Sequence, residues 1–348
     1  MIKFKFRSII IFLSILTLIS YLTVFISPAV FWPFGLFNYL IPILLSVQFI
    51  FVIYLGLKKK YRKLAVFPIA SILAGYYFID NTYNFPKKNE IRDSDLSVLS
   101  FNAHFFRERR DYGKIDTAMI NWAVNDDSEI KCFQEYSTNE NWSAFHNTPK
   151  FSTRGYDSHV YSFKNETNDN GLAIFSKYPI VNNGLILLNK DNQNNCIYAD
   201  IKVEDDTIRI YNFHLKSMGI KLSEFKKPDH FSENSKRTVT KLGSASSKRA
   251  VEIHEIIKNI EQCPYPYILT CDFNELVYGN NYYKLKKKAN DTFEEVGSGF
   301  GFTFNSLLFF IRIDHQFSSD SIIPVDFRVI REMKKSDHFP LKGWYRLN

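Results

Sequence analysis

The chain changes character once along its length. From Ser8 to Leu57 no residue is charged, whereas from about Glu90 onward apolar and polar positions trade places in short runs of strand and helix type. Two apolar stretches, about residues 9–27 and 36–57, are each long enough to cross ~30 Å of hydrocarbon at ~1.5 Å per residue. The uncharged aromatic and proline break from Pro28 to Gly35 joins them as a helical hairpin, and no small-x-small cleavage site follows the first stretch. A third stretch, residues 64–79, lies between the basic run Lys58 to Lys63 and Asp80. It is short for a span, but snorkelling by Lys63 and interfacial Tyr76 and Tyr77 make up the length, so three spans are expected. Residues 1–80 thus read as a membrane anchor, 81–95 as a linker and 96–348 as a globular domain. With the basic amino terminus and the 58–63 loop cytoplasmic, three spans place everything after Asp80 outside the cytoplasm, and two spans leave it inside.

Beyond the linker, strands are predicted for Leu96 to Asn102, Ile130 to Phe133, Ser158 to Phe163, Leu172 to Phe175, Ile197 to Val203, Thr207 to Phe213 and Tyr267 to Asp272. Helices are predicted for Asp116 to Val124 and from about Lys248 to Ile260. Strands in mixed succession favour an α/β sandwich over an all-parallel sheet. Met218 to Ser247 is rich in Lys and Ser and has little apolar periodicity, which reads as a mobile loop, a lid or a disordered insertion.

The formal net charge of +8 suggests a nucleic-acid binder only until it is partitioned. Residues 1–90 hold ten basic and two acidic residues, which leaves 34 of each after position 90. The globular part is therefore formally neutral, and the excess belongs to the membrane segment. The apolar stretches contain no ionisable residue, which excludes a transporter. Cys132, Cys196, Cys263 and Cys271 form no CxxC or zinc-type spacing and read as small buried residues; they do not settle the compartment.

Polar residues recur where strands end. The strands deliver Asn102, Glu135, His214 and the pair Asp272 and Asn274, followed by Arg312-Ile-Asp314-His315 and Ser336-Asp337-His338. Alternation along a strand turns Asp272 and Asn274 to one face, with Phe273 toward the core. Each alone is ordinary turn, cap or core chemistry; their joint occurrence in this order is not.

On these motifs, together with Gln134-Glu135, Gly171-Leu-Ala-Ile-Phe-Ser-Lys-Tyr-Pro-Ile180 and Asn212-Phe-His-Leu215, the sequence resembles the endonuclease/exonuclease/phosphatase superfamily from Leu96 to Leu341. The resemblance implies a four-layer α/β/β/α sandwich with the active site at one end of the sheets, and hydrolysis of a phosphate ester. Such chemistry needs a hard cation to neutralise charge on oxygen, Mg²⁺ or Mn²⁺, for which Glu135 is the leading ligand and Asp337 the second, with Asn102 contributing its amide oxygen or contacting the substrate phosphate. By resemblance, Asp272 orients or deprotonates the attacking water, and Asn274 fixes that water and a phosphate oxygen. His338, paired with Asp314, is read as a protonated contact to the non-bridging oxygens, with general base as the other role open to it. His214 supplies a second imidazole that binds phosphate or protonates the leaving oxygen.

The sequence departs from the family at Cys271, where Gly is usual, and at His104, where apurinic endonucleases carry an aspartate. His315 reads as structural. For substrate, nine basic residues between 216 and 249, Arg249 among them, face only Glu224, Asp229 and Glu233, which makes a modest nucleic-acid patch. An anchor near lipid headgroups suits a phospholipid or sphingolipid diester, and Phe309-Phe310 could serve it. Nucleic acid is slightly favoured; a catalytically inactive scaffold is the remote third reading, and no obligate protein partner is evident.

Overall fold

The computed structural model describes residues 2–85, 89–109, 111–137, 147–164, 169–186, 188, 194–218, 231–306 and 310–347. The chain forms two units: residues 1–82, 217–251 and 275–284 make one, and 83–216, 252–274 and 285–348 the other.

In the first unit, helices Ile2–Ser20 and Phe34–Leu57 belong to the two segments, Phe6–Val24 and Phe34–Leu57, that are long and apolar enough to cross a membrane. The expected third span differs. Residues 64–79 form a 3-10 turn and two short helices, Val66–Ala74 and Tyr76–Asp80, broken at Gly75. The ideal Cβ of Gly75 would lie 2.2 Å from the Tyr21 hydroxyl, so the chain turns where only glycine fits. Nine residues of continuous helix reach ~14 Å, about half the hydrocarbon thickness.

The loop expected over 218–247 is also different. Helix Phe231–Ile260 runs through residues 231–247, while 219–230 lie outside the described residues. Its face in this unit is small and polar because it packs on the hairpin break: an ideal Cβ on Gly243 would lie 2.1 Å from Trp32, and Ser247 donates to the Pro28 carbonyl at 2.6 Å.

The second unit contains two six-stranded sheets. The strands of these two sheets are β1 (Leu96–Asn102), β2 (Ile130–Ser137), β3 (Asp157–Lys164), β4 (Asp169–Ser176), β5 (Ile180–Ile186), β6 (Cys196–Val203), β7 (Asp206–His214), β8 (Tyr267–Asp272), β9 (Asn290–Asp291), β10 (Asp314–Ser318), β11 (Ile322–Val329) and β12 (Leu341–Leu347), beside a separate hairpin of Arg107–Glu108 and Asp111–Ile115. One sheet runs β11-β12-β1-β2-β4-β3 and the other β9-β10-β8-β7-β6-β5. Their inner faces meet through Val98, Ile130, Cys132, Ile174, Ala199, Ile210 and Ile268, all buried. Helix Thr117–Asn125 covers the outer face of the first sheet through Met119, Ile120 and Ala123, against Phe101, Phe133 and Phe175. On the second sheet, Tyr211 donates its hydroxyl to Asn259 at 2.9 Å, which places residues 252–260 of the long helix on that outer side. The architecture is the four-layer α/β/β/α sandwich.

Each sheet has one parallel pair at its centre, β1 with β2 and β7 with β8. The antiparallel neighbours β10 and β12 begin where β8 and β1 end, as in the pairing of Asp272 with Asp314 and of Ser100 with Leu341. This register gathers six strand ends at one edge of the sandwich.

Candidate active site

The sheets are pinned together just below that edge by buried amides. Gln134 donates to Asn212 Oδ1 at 2.7 Å and to Ser100 Oγ at 3.2 Å, and Asn212 donates to the carbonyls of Phe133 and Ala173 at 2.9 and 3.0 Å. A buried polar network of this kind, whose amide donors are all engaged while Gln134 Oε1 has no partner among the described residues, specifies how the two sheets stack, because any slip would strand buried donors. Both residues stand in the motifs, but neither carries a cue to that structural role.

Asp272, at the end of β8, is the hub. Its Oδ2 accepts from Asn102 Nδ2 at 2.9 Å and lies 3.5 Å from His214 Nε2 and 3.8 Å from His338 Nε2. Its Oδ1 accepts the Asn274 backbone N–H at 3.0 Å. Asn274 takes a left-handed φ of 53°, and its side chain donates to the Leu215 carbonyl at 3.1 Å, so the turn after β8 is tied to the end of β7. His338 Nδ1 lies 2.9 Å from both oxygens of Asp314. Ser336 carries the approach to β12: its hydroxyl donates to the Asn102 carbonyl at 2.8 Å and accepts the His338 N–H at 3.2 Å.

Glu135 reaches the site by a bulge. The register of β2 with β4 shifts between Phe133 and Tyr136, and Glu135 adopts φ 48°. Strict alternation would not aim this side chain as the bulge does. His104, Phe105 and Phe106 follow β1 with φ of 45°, 59° and 55°. Non-glycine residues in this region cost of order 1 kcal/mol each, and here they cluster at the strand-end edge.

The electrostatics sort the residues further. Burial, then the charge of Asp337, pushes the Glu135 carboxyl up to about 8. Burial opposes charge on His338, but Asp314 and then Asp272 outweigh it and hold the imidazole well above its ordinary value. For Asp337, burial raises the carboxyl, but the charge on His338 and the smaller favourable contributions beside it together outweigh burial and hold the carboxyl below its usual range. Burial lowers His214 despite the opposing pull of Asp272, so at neutral pH its imidazole is uncharged, and its buried Nδ1 has no hydrogen-bond partner among the described residues.

Two donor sets could hold a cation. Asp272, Asp314 and His338 offer ligand atoms within 4.8 Å of one another. Both oxygens of Asp314 are, however, engaged by a histidine that carries a proton, and a protonated imidazole does not ligate. Glu135 and Asp337 fit better: mutually repelling carboxylates at a buried edge are the hard-oxygen set that a divalent cation relieves. Asn102 is mostly committed, with its amide N–H on Asp272 and its oxygen accepting the His104 N–H at 3.1 Å.

Arg249 requires correction. It is fully buried, and its Nε donates to Glu275 Oε2 at 2.8 Å, so it has no face to offer a phosphate. Of the other basic residues in that run, Lys236, Arg237 and Lys248 are exposed, and Lys221, Lys226 and Lys227 lie outside the described residues, as does Phe309. His315 bonds Asp291 and Arg312, and Arg312 pairs with Asp291 at 2.7 Å rather than with Asp314.

A family model described as endonuclease/exonuclease/phosphatase family matches residues 99–338, and one described as a domain of unknown function matches 4–82. Among curated proteins, none matches the chain. Among solved structures it is similar to an endonuclease/exonuclease/phosphatase of Beutenbergia cavernae, at 14% identity and TM-score 0.55, covering 73% of this chain and 72% of that one. It is similar to the human nocturnin catalytic domain with bound sulfate, at 15% identity and TM-score 0.54, covering 74% and 97%. A mannosyl-6-phosphatase of Bacteroides thetaiotaomicron aligns at 18% identity and TM-score 0.50, covering 72% and 100%.

Proposed function

The chain belongs to the endonuclease/exonuclease/phosphatase family and is a hydrolase acting on phosphate esters; from this premise we propose that it is a membrane-anchored, divalent-metal-dependent phosphodiesterase. The observation that carries the reading is the convergence of Asn102, His214 and His338 on one carboxylate oxygen of Asp272, with Asp314 behind His338.

In this reading Asp272 orients the attacking water and takes its proton, while Asn102 holds the carboxylate in place. Protonated His338, kept charged by Asp314, contacts the non-bridging phosphate oxygens as negative charge develops. Neutral His214 stands 3.5 Å from Asp272 and binds phosphate or serves the leaving oxygen. Asn274 steadies the turn that carries both the acid and its own amide. Glu135 and Asp337 would hold Mg²⁺ or Mn²⁺, which when bound supplies Lewis-acid neutralisation of the phosphate oxygens.

Nucleic acid is the favoured substrate, since a neutral domain with local basic clusters binds a polyanion without needing a deep polycationic pocket. A lipid diester is the second reading, favoured by the two apolar helices and by Phe310, which is 53% exposed. With two segments among the described residues long and apolar enough to span rather than three, the side of the membrane is open to test by protease protection. The activity test is the full chain in detergent with Mg²⁺ or Mn²⁺ on plasmid DNA, sphingomyelin and a bis-aryl phosphodiester, beside Asp272→Asn and His338→Ala. DNA cleavage lost with chelator and in both variants supports the nuclease; turnover of lipid alone moves the reading to the second; no turnover of any substrate overturns it.

A further inference from the structure

Beside the strand-end edge a cavity of ≈ 570 Å³ is lined by Glu108, Arg109, Asp116, Lys334 and Lys335. That volume lies within the ~300–1,000 Å³ usual for small-ligand sites. One wall is the hairpin of Arg107–Glu108 and Asp111–Ile115, with Arg109 at its turn; the other is the segment that leads into Asp337 and His338. Asn305 fixes this second wall by donating to the carbonyls of Lys334 and Ser336 at 3.2 and 2.9 Å.

The lining charges are not equivalent. Asp116 is occupied twice, as the helix cap that accepts the Met119 N–H at 3.0 Å and as the partner of Lys335 at 3.1 Å. Among the described residues, the side chains of Arg109 and Lys334 have no ion-pair partner. Arg109 is close enough to the edge for its charge to act on both Asp337 and His104. The cavity therefore offers two exposed cations, without an ion-pair partner among the described residues, beside the exposed Glu108 and on the segments that lead to the candidate metal and phosphate residues.

We propose that Arg109 and Lys334 form an accessory anion subsite that receives a second phosphate group of the substrate while the first lies over Asp272 and His338. The proposal rests on the phosphoesterase reading above and deepens it to substrates that carry two phosphates. A neighbouring backbone phosphate of a nucleic acid and the second ester of a small bisphosphate present the same chemistry to the subsite.

The test uses the full chain in detergent, comparing wild type with Arg109→Met/Lys334→Met and with Arg109→Lys. Specificity constants are measured for a thymidine dinucleotide with and without a 5′-phosphate, and for a hexose bisphosphate against the monophosphate. Wild type should prefer the member with the extra phosphate in one pair, and that pair identifies the source. The preference should fall about tenfold in the double variant and survive in Arg109→Lys. No preference in wild type, or an equal loss on both members of a pair, overturns the subsite. If no probe is turned over, the phosphoesterase reading fails by itself, and pyrophosphate binding by calorimetry decides the subsite. Binding about tenfold weaker in the double variant supports it, and unchanged binding overturns it.

Discussion

Arg249 and Glu275 form a fully buried ion pair, with the guanidinium Nε 2.8 Å from Oε2 and neither side chain open to solvent. The carboxylate is completed by Asn281 at 2.7 Å on the same oxygen and by Asn38 and Ser246 at 3.0 and 3.1 Å on the other. Asn38 comes from the apolar helix Phe34–Leu57, so the pair lies within the unit that holds the candidate spans. Removing one partner leaves the other charge buried and alone. Arg249→Met is expected to destabilise the chain by about 3–5 kcal/mol, and Arg249→Met with Glu275→Leu to recover most of that loss. Thermal unfolding in detergent checks both; a double variant as weak as the single would mean that packing, not charge, is at stake.

Asp314→Asn should move the alkaline limb of activity to lower pH. His338 acts protonated, and its proton is retained as pH rises because Asp314 and Asp272 hold its affinity well above the ordinary imidazole value. Without the Asp314 charge, the protonated fraction falls at lower pH, so kcat/KM declines sooner while the low-pH plateau changes less. An unshifted limb in a pH profile of the two proteins would remove His338 from the role of charged contact.

Asp272→Asn should reduce kcat by about 10²–10⁴-fold, the range for loss of a positioned general base, while the fold survives. The amide is isosteric and can keep the bonds from Asn102 or from the Asn274 backbone, so melting temperature is the control.

These site residues were legible in the sequence because they end strands whose interiors are apolar; a polar residue there has no core to enter. What escaped has physical causes. Glu135 itself was read as the leading metal ligand from the Gln134-Glu135 motif, but the bulge that aims it is one a two-residue period does not foresee. Arg249 stands in a Lys/Ser-rich run that reads as a solvated face, and its partner lies 26 residues further on. The helix through residues 231–247 lacks an apolar stripe because Gly243 and Ser246 fit under Trp32 and Gly35 rather than into a core of large side chains. The short third apolar stretch had suitable composition, and its break depends on Tyr21 packing at Gly75, a contact more than fifty residues away in the chain.

Lys131, buried on β2, donates to the carbonyls of Ala123, Val124 and Asp126 at 2.9, 3.1 and 2.6 Å and so closes the end of helix Thr117–Asn125. Burial lowers its amine to about 8. The unfolded chain then holds one more proton than the folded chain between pH 8 and the ordinary lysine value, so this residue's penalty is full below pH 8 and lifts as pH rises. Relative to Lys131→Met, wild-type stability should increase from pH 8 toward 10 by at most about 3 kcal/mol. Denaturant melts of the pair across that range give the sign; a wild type that loses stability relative to the variant as pH rises contradicts it.

The two candidate donor sets make opposite predictions for the metal. If Glu135 and Asp337 hold it, Glu135→Gln removes an anionic ligand and the half-saturating Mg²⁺ concentration rises by at least about tenfold, whereas Asp314→Asn lowers turnover without changing that concentration. If Asp272, Asp314 and His338 hold it, the order reverses, because Asp314→Asn then deletes the ligand and Glu135 is a bystander. Binding is read apart from turnover by titrating Mn²⁺ into each protein and following its paramagnetic signal. The first outcome is expected, since His338, protonated on both ring nitrogens with Nδ1 against Asp314 and Nε2 toward Asp272, has no lone pair to give a cation. A wild-type level of Mn²⁺ binding in Glu135→Gln would show that His338 sheds its proton to the metal, and with it the role of charged phosphate contact.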